Sequence, residues 1–435
     1  MGKLKLLILI LLFVSCSQSP KESVIQQQNL SSVSIPIDFD EEIRQGIKLS
    51  ELVENIEFVS LEVTDDCLLR GVDHAEVTDE YIYVVDKPDH RSPCVYQFDR
   101  KGHFLRRIGS QGEGPEEFIQ MRGFALNVET EEIYIYDGVR KRVLSYLPDG
   151  TFSKVINMRQ DCRNFVYQNG LYYLYDPDTE EKGNKVFVKD ENGNKLSDYL
   201  KNDDLGCVFS KTHVVRTVGS GVLFYEAFND TIYTFDQEIM KVKYVFEFGQ
   251  YAMPLNKKRE YMEAIGQNRP LEYQIQLLGN YITDAFDIRE TEKWLFFKVV
   301  KENLLYHGIY DKITKKICLQ NVFKDDLYEV TGLGDEFVGV TSGRLIASVN
   351  ANRIKNAFEK YLPKNVRKGE LTSSRLDSLT TFFSQYFSID KNLQQKNMGD
   401  TKERTPKSLS DVLDDMYGSS GEELNPMLMI IKFKE

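Results

Sequence analysis

The chain has 435 residues, enough for one large or two ordinary domains, and its 41% apolar and 28% charged composition is that of a globular protein. A net charge of −12 argues against a sequence-independent grip on nucleic acid, which needs clustered Lys and Arg to displace phosphate counterions. Tyr and Phe number 24 and 26 against a single Trp, Trp294, and this excess of strand formers points to a β-rich fold.

In chain order, Lys3 and Lys5 precede an uninterrupted apolar stretch at 6–14, too short to span a bilayer as a helix. It runs into Ser15-Cys16-Ser17. This resembles a bacterial lipoprotein signal over residues 1–15, which implies cleavage before Cys16 and lipidation of that cysteine. Phe13 stands where such signals usually carry Leu, Val or Ile, and the small-x-small site of an ordinary secretory peptide is missing. Residues 16–32 are polar and poor in bulky side chains, so they read as a flexible tether. Several lipid chains on one N-terminus hold a membrane more firmly than a single acyl group. No later run of 18 apolar residues marks a transmembrane helix.

From residue 33 to 435 the chain reads as a six-bladed β-propeller, an all-β ring of four-stranded blades. Six runs have the alternation of a second strand: "YIYVVD" (81–86), "IYIYD" (133–137), "LYYLYD" (171–176), "VLFYE" (222–226), "WLFFKVV" (294–300) and "LIASV" (345–349). Five are followed by a third strand, "VYQFD", "VLSYL", "VFVKD", "TIYTFD" and "HGIYD", and then by Asp- or Gly-bearing turns. The unit at 124–156 shows all four strands. Successive second strands lie 38 to 72 residues apart, which fits blades with loops of different length rather than a tight solenoid. Two gaps carry helical patterns, at about 254–282 and 351–425, and read as insertions. The sixth unit lacks a local third strand. Its partners are expected to be "MLMIIKFKE" (427–435) and the orphan N-terminal run "IEFVSLEV" (56–63), so that strands from both ends close the ring and remove its open edges.

Residues 81–118, with the segment "IGSQGEGPEEF" at 108–118, resemble the NHL-like six-bladed β-propeller lipoproteins of gut Gram-negative anaerobes. The start "IEFVSLEV" and the terminal Asn425-Pro426 before an apolar strand are similar to that family as well. The resemblance implies the propeller fold and a cell-envelope location, and it carries no ligand.

The chemistry-bearing residues are sparse. "GSQGEGP" (109–115) has no following Lys-Ser/Thr and no strand-to-helix setting, so it reads as a tight blade-to-blade crossover rather than a phosphate loop. His74, His90, His103, His213 and His307 are single and are expected in different blades, without metal-ligand spacing. Cys67, Cys94, Cys162, Cys207 and Cys318 are widely spaced and form no C-x-x-C pair, which suits buried small hydrophobes. No catalytic residue, metal or cofactor is indicated. The loops after the first two second strands, "DKPDHRSP" and "DGVRKR", make Asp86, Arg91, Asp137 and Arg140 the candidate ligand face. The same residues also suit turn capping and local ion pairing. The expected function is a lipid-anchored, non-catalytic module of the cell envelope. Its partner would be a glycan or peptide ligand or an envelope protein, with the membrane reached only through the anchor. Two other readings stay open. A glycan hydrolase or lyase needs carboxylates roughly 5–10 Å apart across the channel mouth. A scaffold of an outer-membrane complex needs an exposed apolar patch on a helical insertion.

Overall fold

Six sheets stand in a ring, each built mainly from strands adjacent in sequence. The structure is a computed structural model that describes residues 32–39, 48–86, 93–176, 183–202, 213–216, 221–302, 304–320, 337–341, 343–349 and 425–434. The expected signal peptide with Cys16, nearly all of the tether, Arg91, His90, Cys207 and almost all of the expected insertion at 351–425 lie outside the described residues.

Two N-terminal strands, β1 (Val33–Pro36) and β2 (Val53–Ser60), precede blade 1, which comprises β3 (Val72–Val77), β4 (Tyr81–Asp86), β5 (Val95–Asp99) and β6 (Phe104–Ile108). Blade 2 holds β7 (Met121–Leu126), β8 (Ile133–Asp137), β9 (Arg142–Tyr146) and β10 (Phe152–Asn157). Blade 3 holds β11 (Asn164–Gln168), β12 (Leu171–Tyr175), β13 (Asn184–Lys189) and β14 (Lys195–Lys201). Blade 4 holds β15 (His213–Arg216), β16 (Val222–Tyr225), β17 (Thr231–Asp236) and β18 (Ile239–Glu247). Blade 5 holds β19 (Phe286–Glu290), β20 (Trp294–Lys301), β21 (Leu304–Asp311) and β22 (Ile317–Gln320).

Blade 6 is closed by both ends of the chain: β23 (Phe337–Thr341), β24 (Arg344–Val349), β25 (Met427–Phe433) and then β2. Ile56 opposes Ile431 and Phe58 opposes Met429 in the antiparallel pairing of β2 with β25, so the strand begins three residues before the run the sequence marks. The closure follows from edge chemistry. Either strand alone would present a row of unpaired N–H and C=O groups.

Period-two alternation assembles the core between blades rather than within them. On β4, Ile82 and Val84 pack with Val59, Ile346 and Leu428 of blade 6, while Tyr83 and Val85 pack with Phe124 and Ile135 of blade 2. The same division recurs around the ring, and the Tyr and Phe excess is spent here: Tyr134 against Tyr167 and Tyr172, Tyr175 against Phe224, Phe246 against Phe297. Blade turns seat on their neighbours closely enough to require glycine. Gly102 has φ +88, and a Cβ there would lie 2.0 Å from the carbonyl oxygen of Ser60.

One strand has no counterpart in the sequence reading. β1 pairs in parallel with β18 and adds a fifth strand to blade 4, with Ile35, Ile37 and Phe39 buried against blades 4 and 5. Between β18 and β19 the chain forms two helices, Leu255–Gly266 and Leu271–Leu278, each preceded by a proline, Pro254 and Pro270, that cannot donate in a helix interior. No helix among the described residues is long and apolar enough to cross a membrane.

The histidine expectation needs correction. His74 lies on β3 and His103 in the turn before β6, so two of the five share blade 1. Each is held by its own carboxylate, Glu76 at 3.1 Å and Asp99 at 2.9 Å.

Candidate functional site

In each blade the start of the first strand opposes the end of the second. Val72 faces Asp86 in blade 1, and Met121 faces Asp137 in blade 2. The loops that enter the first strands and those that leave the second strands therefore gather on one face, around the channel mouth.

Asp137 ends β8 and is fully buried. Its carboxylate accepts from Arg142 Nε and the Gln120 backbone N–H, both at 3.4 Å, and lies 3.9 Å from Arg140 Nη1. Arg140 turns outward over the crossover from blade 1. Its guanidinium donates to the carbonyls of Glu113 at 2.7 Å, Glu117 at 3.1 Å and Gly114 at 3.2 Å. Arg142 adds a bond to the Glu117 carbonyl at 2.8 Å, and Tyr146 one to Glu116 at 2.9 Å. The glycine-rich segment is thus a β6–β7 crossover whose carbonyls are capped by two guanidinium groups and a phenol. Crossover carbonyls that pair with no strand find such partners in side chains.

Asp86 serves its own blade, accepting from the N–H groups of Arg70 at 3.1 Å and Gly71 at 3.4 Å. Asp137 and Arg140 are brought together. Asp86 holds a separate crossover.

Sequence reasoning missed the extension of this pattern. Asp176 and Glu226 follow β12 and β16 as Asp86 and Asp137 end β4 and β8, and both are buried. Asp176 accepts from Gln160 Nε2 at 2.8 Å; Glu226 meets Lys185 Nζ at 2.6 Å and the Tyr175 hydroxyl at 3.3 Å. The signal was the shared acidic residue closing four of the six second-strand runs.

A second constellation had no sequence signal. The pairing of β19 with β20 slips between Phe286 and Arg289, and Asp287 sits in that bulge at φ +52, a left-handed conformation costing an L-residue about 1–2 kcal/mol. Its carboxylate is clamped by Lys298 Nζ at 2.7 Å and Arg289 Nη2 at 3.1 Å. Arg289 also donates to the Phe337 carbonyl of blade 6 at 2.8 Å. On the first strand of blade 2, Arg122 pairs with Asp161 at 2.7 Å, and this ion pair is more than one-third exposed on both sides.

The profile of a domain of unknown function, DUF4934, matches residues 33–381. The chain belongs to the DUF4934 family. No curated protein matches it. Among solved structures, this DUF4934 propeller is similar to a Bacteroides fragilis NCTC 9343 protein described as exported, with 19% identity and a TM-score of 0.66 over 93% of this chain and all of that one. A DUF4221 member from Bacteroides vulgatus ATCC 8482 matches at 11% identity and TM-score 0.41, covering 70% of this chain and 93% of the other. The first likeness shows the fold alone.

Chemically, the mouth of this DUF4934 ring is a preorganised polar frame. The carboxylates of Asp86, Asp137, Asp176 and Glu226 are each committed to an amide, a guanidinium, an ammonium or a hydroxyl. Among the described residues no three His, Cys, Asp or Glu side chains converge on a point that suits a metal ion. Cys67 and Cys162 are buried and free, and burial pushes the Cys67 thiol up to about 12 against the Asn425 hydrogen bond.

Proposed function

We propose that this chain is a lipid-anchored, NHL-like envelope propeller that binds a ligand on the channel-mouth face without transforming it. The observation that carries the reading is buried Asp137. With Arg140 and Arg142 it locks the crossover into a fixed surface, which lowers the entropy a ligand must overcome on binding. Carboxylates committed in this way are poor candidates for acid, base or nucleophile, which favours binding over hydrolysis. The Cys16 signal and a similar protein described as exported support the envelope location. The ligand class is a glycan or peptide, contacted by the accessible Arg122–Asp161 pair.

A thermal-shift screen of the full chain against glycans, peptides and divalent metals tests this. A ligand that binds only the folded state stabilises it by about 2.7 kcal/mol at a hundredfold excess over its Kd. The expected result is a saturable shift with a glycan or a peptide that the Arg122→Glu variant loses. Product release from the bound ligand would overturn the non-catalytic reading.

A second reading, a scaffold subunit of an outer-membrane complex, is favoured by one observation. Leu255, Tyr273 and Ile275 on the two helices are 53%, 41% and 38% exposed. A screen without any shift, together with a stable envelope-protein complex lost in Tyr273→Glu, would select it.

A further inference from the structure

At the outer strand of blade 2 lies a groove of ≈ 430 Å³, where the end of β10 and the residues after it meet the β13–β14 turn of the next blade. Four cations line it, Lys154, Arg159, Lys189 and Lys195, against one acid, Glu191. In a chain of net charge −12 this is a local reversal of sign.

The positive potential is not cancelled from within. Lys154 and Arg159 are exposed and have no ion pair among the described residues, while Lys195 meets Asp198 at 2.8 Å. Lys189 is only 6% exposed and donates to the carbonyls of Met158 at 2.6 Å and Gly193 at 3.3 Å. Burial, then the nearby charges of Lys195 and Arg159, push its ammonium below the usual lysine range. The carboxylate nearest in sequence is turned away. Asp190 accepts from the N–H groups of Asn194 at 2.8 Å and Asn192 at 2.9 Å and from the Asn194 amide at 3.0 Å, so it is spent on its own turn.

The groove is also built to a fixed width. Gly193, at φ +79, brings the turn so close to blade 2 that a Cβ there would lie 2.5 Å from the Asn157 carbonyl oxygen. Asn157, Asn192 and Glu191 line the groove beside the cations. Amides both donate and accept, and a carboxylate accepts, which is the complement of vicinal hydroxyls. The cations complement an acid group.

We propose that this groove binds an acidic sugar residue, its acid group between Lys154 and Arg159 and its hydroxyls on Asn157, Asn192 and Glu191. The site uses neither Arg122 nor Asp161 and does not depend on the reading given for the channel mouth.

Calorimetric titration of the full chain with digalacturonate, with the neutral galactobiose of the same linkage, and with inorganic phosphate tests the assignment. Digalacturonate is expected to bind at least about tenfold more tightly than either comparison, and the doubly reversed Lys154→Glu/Arg159→Glu variant to lose about tenfold, or roughly 1.4 kcal/mol. The milder Lys154→Gln/Arg159→Gln pair, at the same exposed positions, should fall between the two and guards against misfolding. Equal binding of the neutral disaccharide, or affinity unchanged in both variants, overturns the proposal. Phosphate binding as tightly as digalacturonate overturns it as well, because the groove would then be a simple anion hold. Persistence of the digalacturonate signal in Arg122→Glu keeps the result separate from the mouth.

Discussion

Asn425 is bonded to Leu69 across the seam of the ring: its side-chain oxygen accepts the Leu69 backbone N–H at 2.7 Å. The same amide donates to the Glu62 carbonyl at 2.7 Å and the Cys67 carbonyl at 3.2 Å, and the residue is 3% exposed. One side chain thus pairs three backbone groups of the segment between β2 and β3. Asn425→Ala strands them, and each buried orphan costs about 1–3 kcal/mol. Urea denaturation should show that loss. Asn425→Asp, which keeps the acceptor and removes the donor, should lose stability as well. Wild-type stability in both variants would mean that the seam does not rely on this amide.

Arg140 reaches three carbonyls of the β6–β7 crossover, and no Lys can reproduce its planar fork. In Arg140→Ala the backbone amides of Gly112, Gly114 and Phe118, whose bonds close that crossover, should exchange with deuterium about tenfold faster, as expected for a local loss of roughly 1.4 kcal/mol. Arg140→Lys should recover only part of the protection. Unchanged exchange at these amides would contradict the capping role.

Glu290 joins blade 4 to blade 5, accepting from Lys243 Nζ and the Tyr244 hydroxyl at 2.7 Å and from Lys312 Nζ at 2.9 Å. Burial alone would raise its carboxyl, but the two ammonium groups outweigh burial and hold it below the usual range. The unfolded chain therefore takes up this proton first, at about pH 4.3. The contribution to stability is complete above that pH and is lost as pH falls through the lower folded value. Glu290→Gln should cost about 1–3 kcal/mol at neutral pH, and the gap from wild type should narrow below about pH 4.3. A gap independent of pH across that window would show the carboxylate is not ionised in the fold.

The second and third strands were legible because each combines period-two alternation with a turn that only Asp, Asn or Gly serves well. "IYIYD" before "DGVRKR" is such a case. Ring closure was legible from one unpaired run at each end. β1 was not. Four residues including Pro36 carry little strand signal, and the partner Val245 lies far along the chain in a parallel register that no turn announces. The structural work of Asp137 and Arg140 was half visible. Their i, i+3 spacing suggests a pair, yet their depth depends on a crossover arriving from the previous blade. The Asp287 clamp was invisible, since a bulge that reverses φ leaves no trace in composition. The histidines were expected in different blades because the first strand carrying His74, Val72–Val77, has little alternation to mark it.

β1 has a mechanical consequence. It lies between the chain's start and β2, paired in parallel with β18 at the outer edge of blade 4, with Ile35 packed against blades 4 and 5. Tension entering from the N-terminus, as from any tether, must strip Val33–Pro36 from β18 before it can load the β2–β25 seam. The edge strand is a sacrificial clip. It stands in series ahead of the seam, so a pull meets the β1–β18 pairing and the buried Ile35 first.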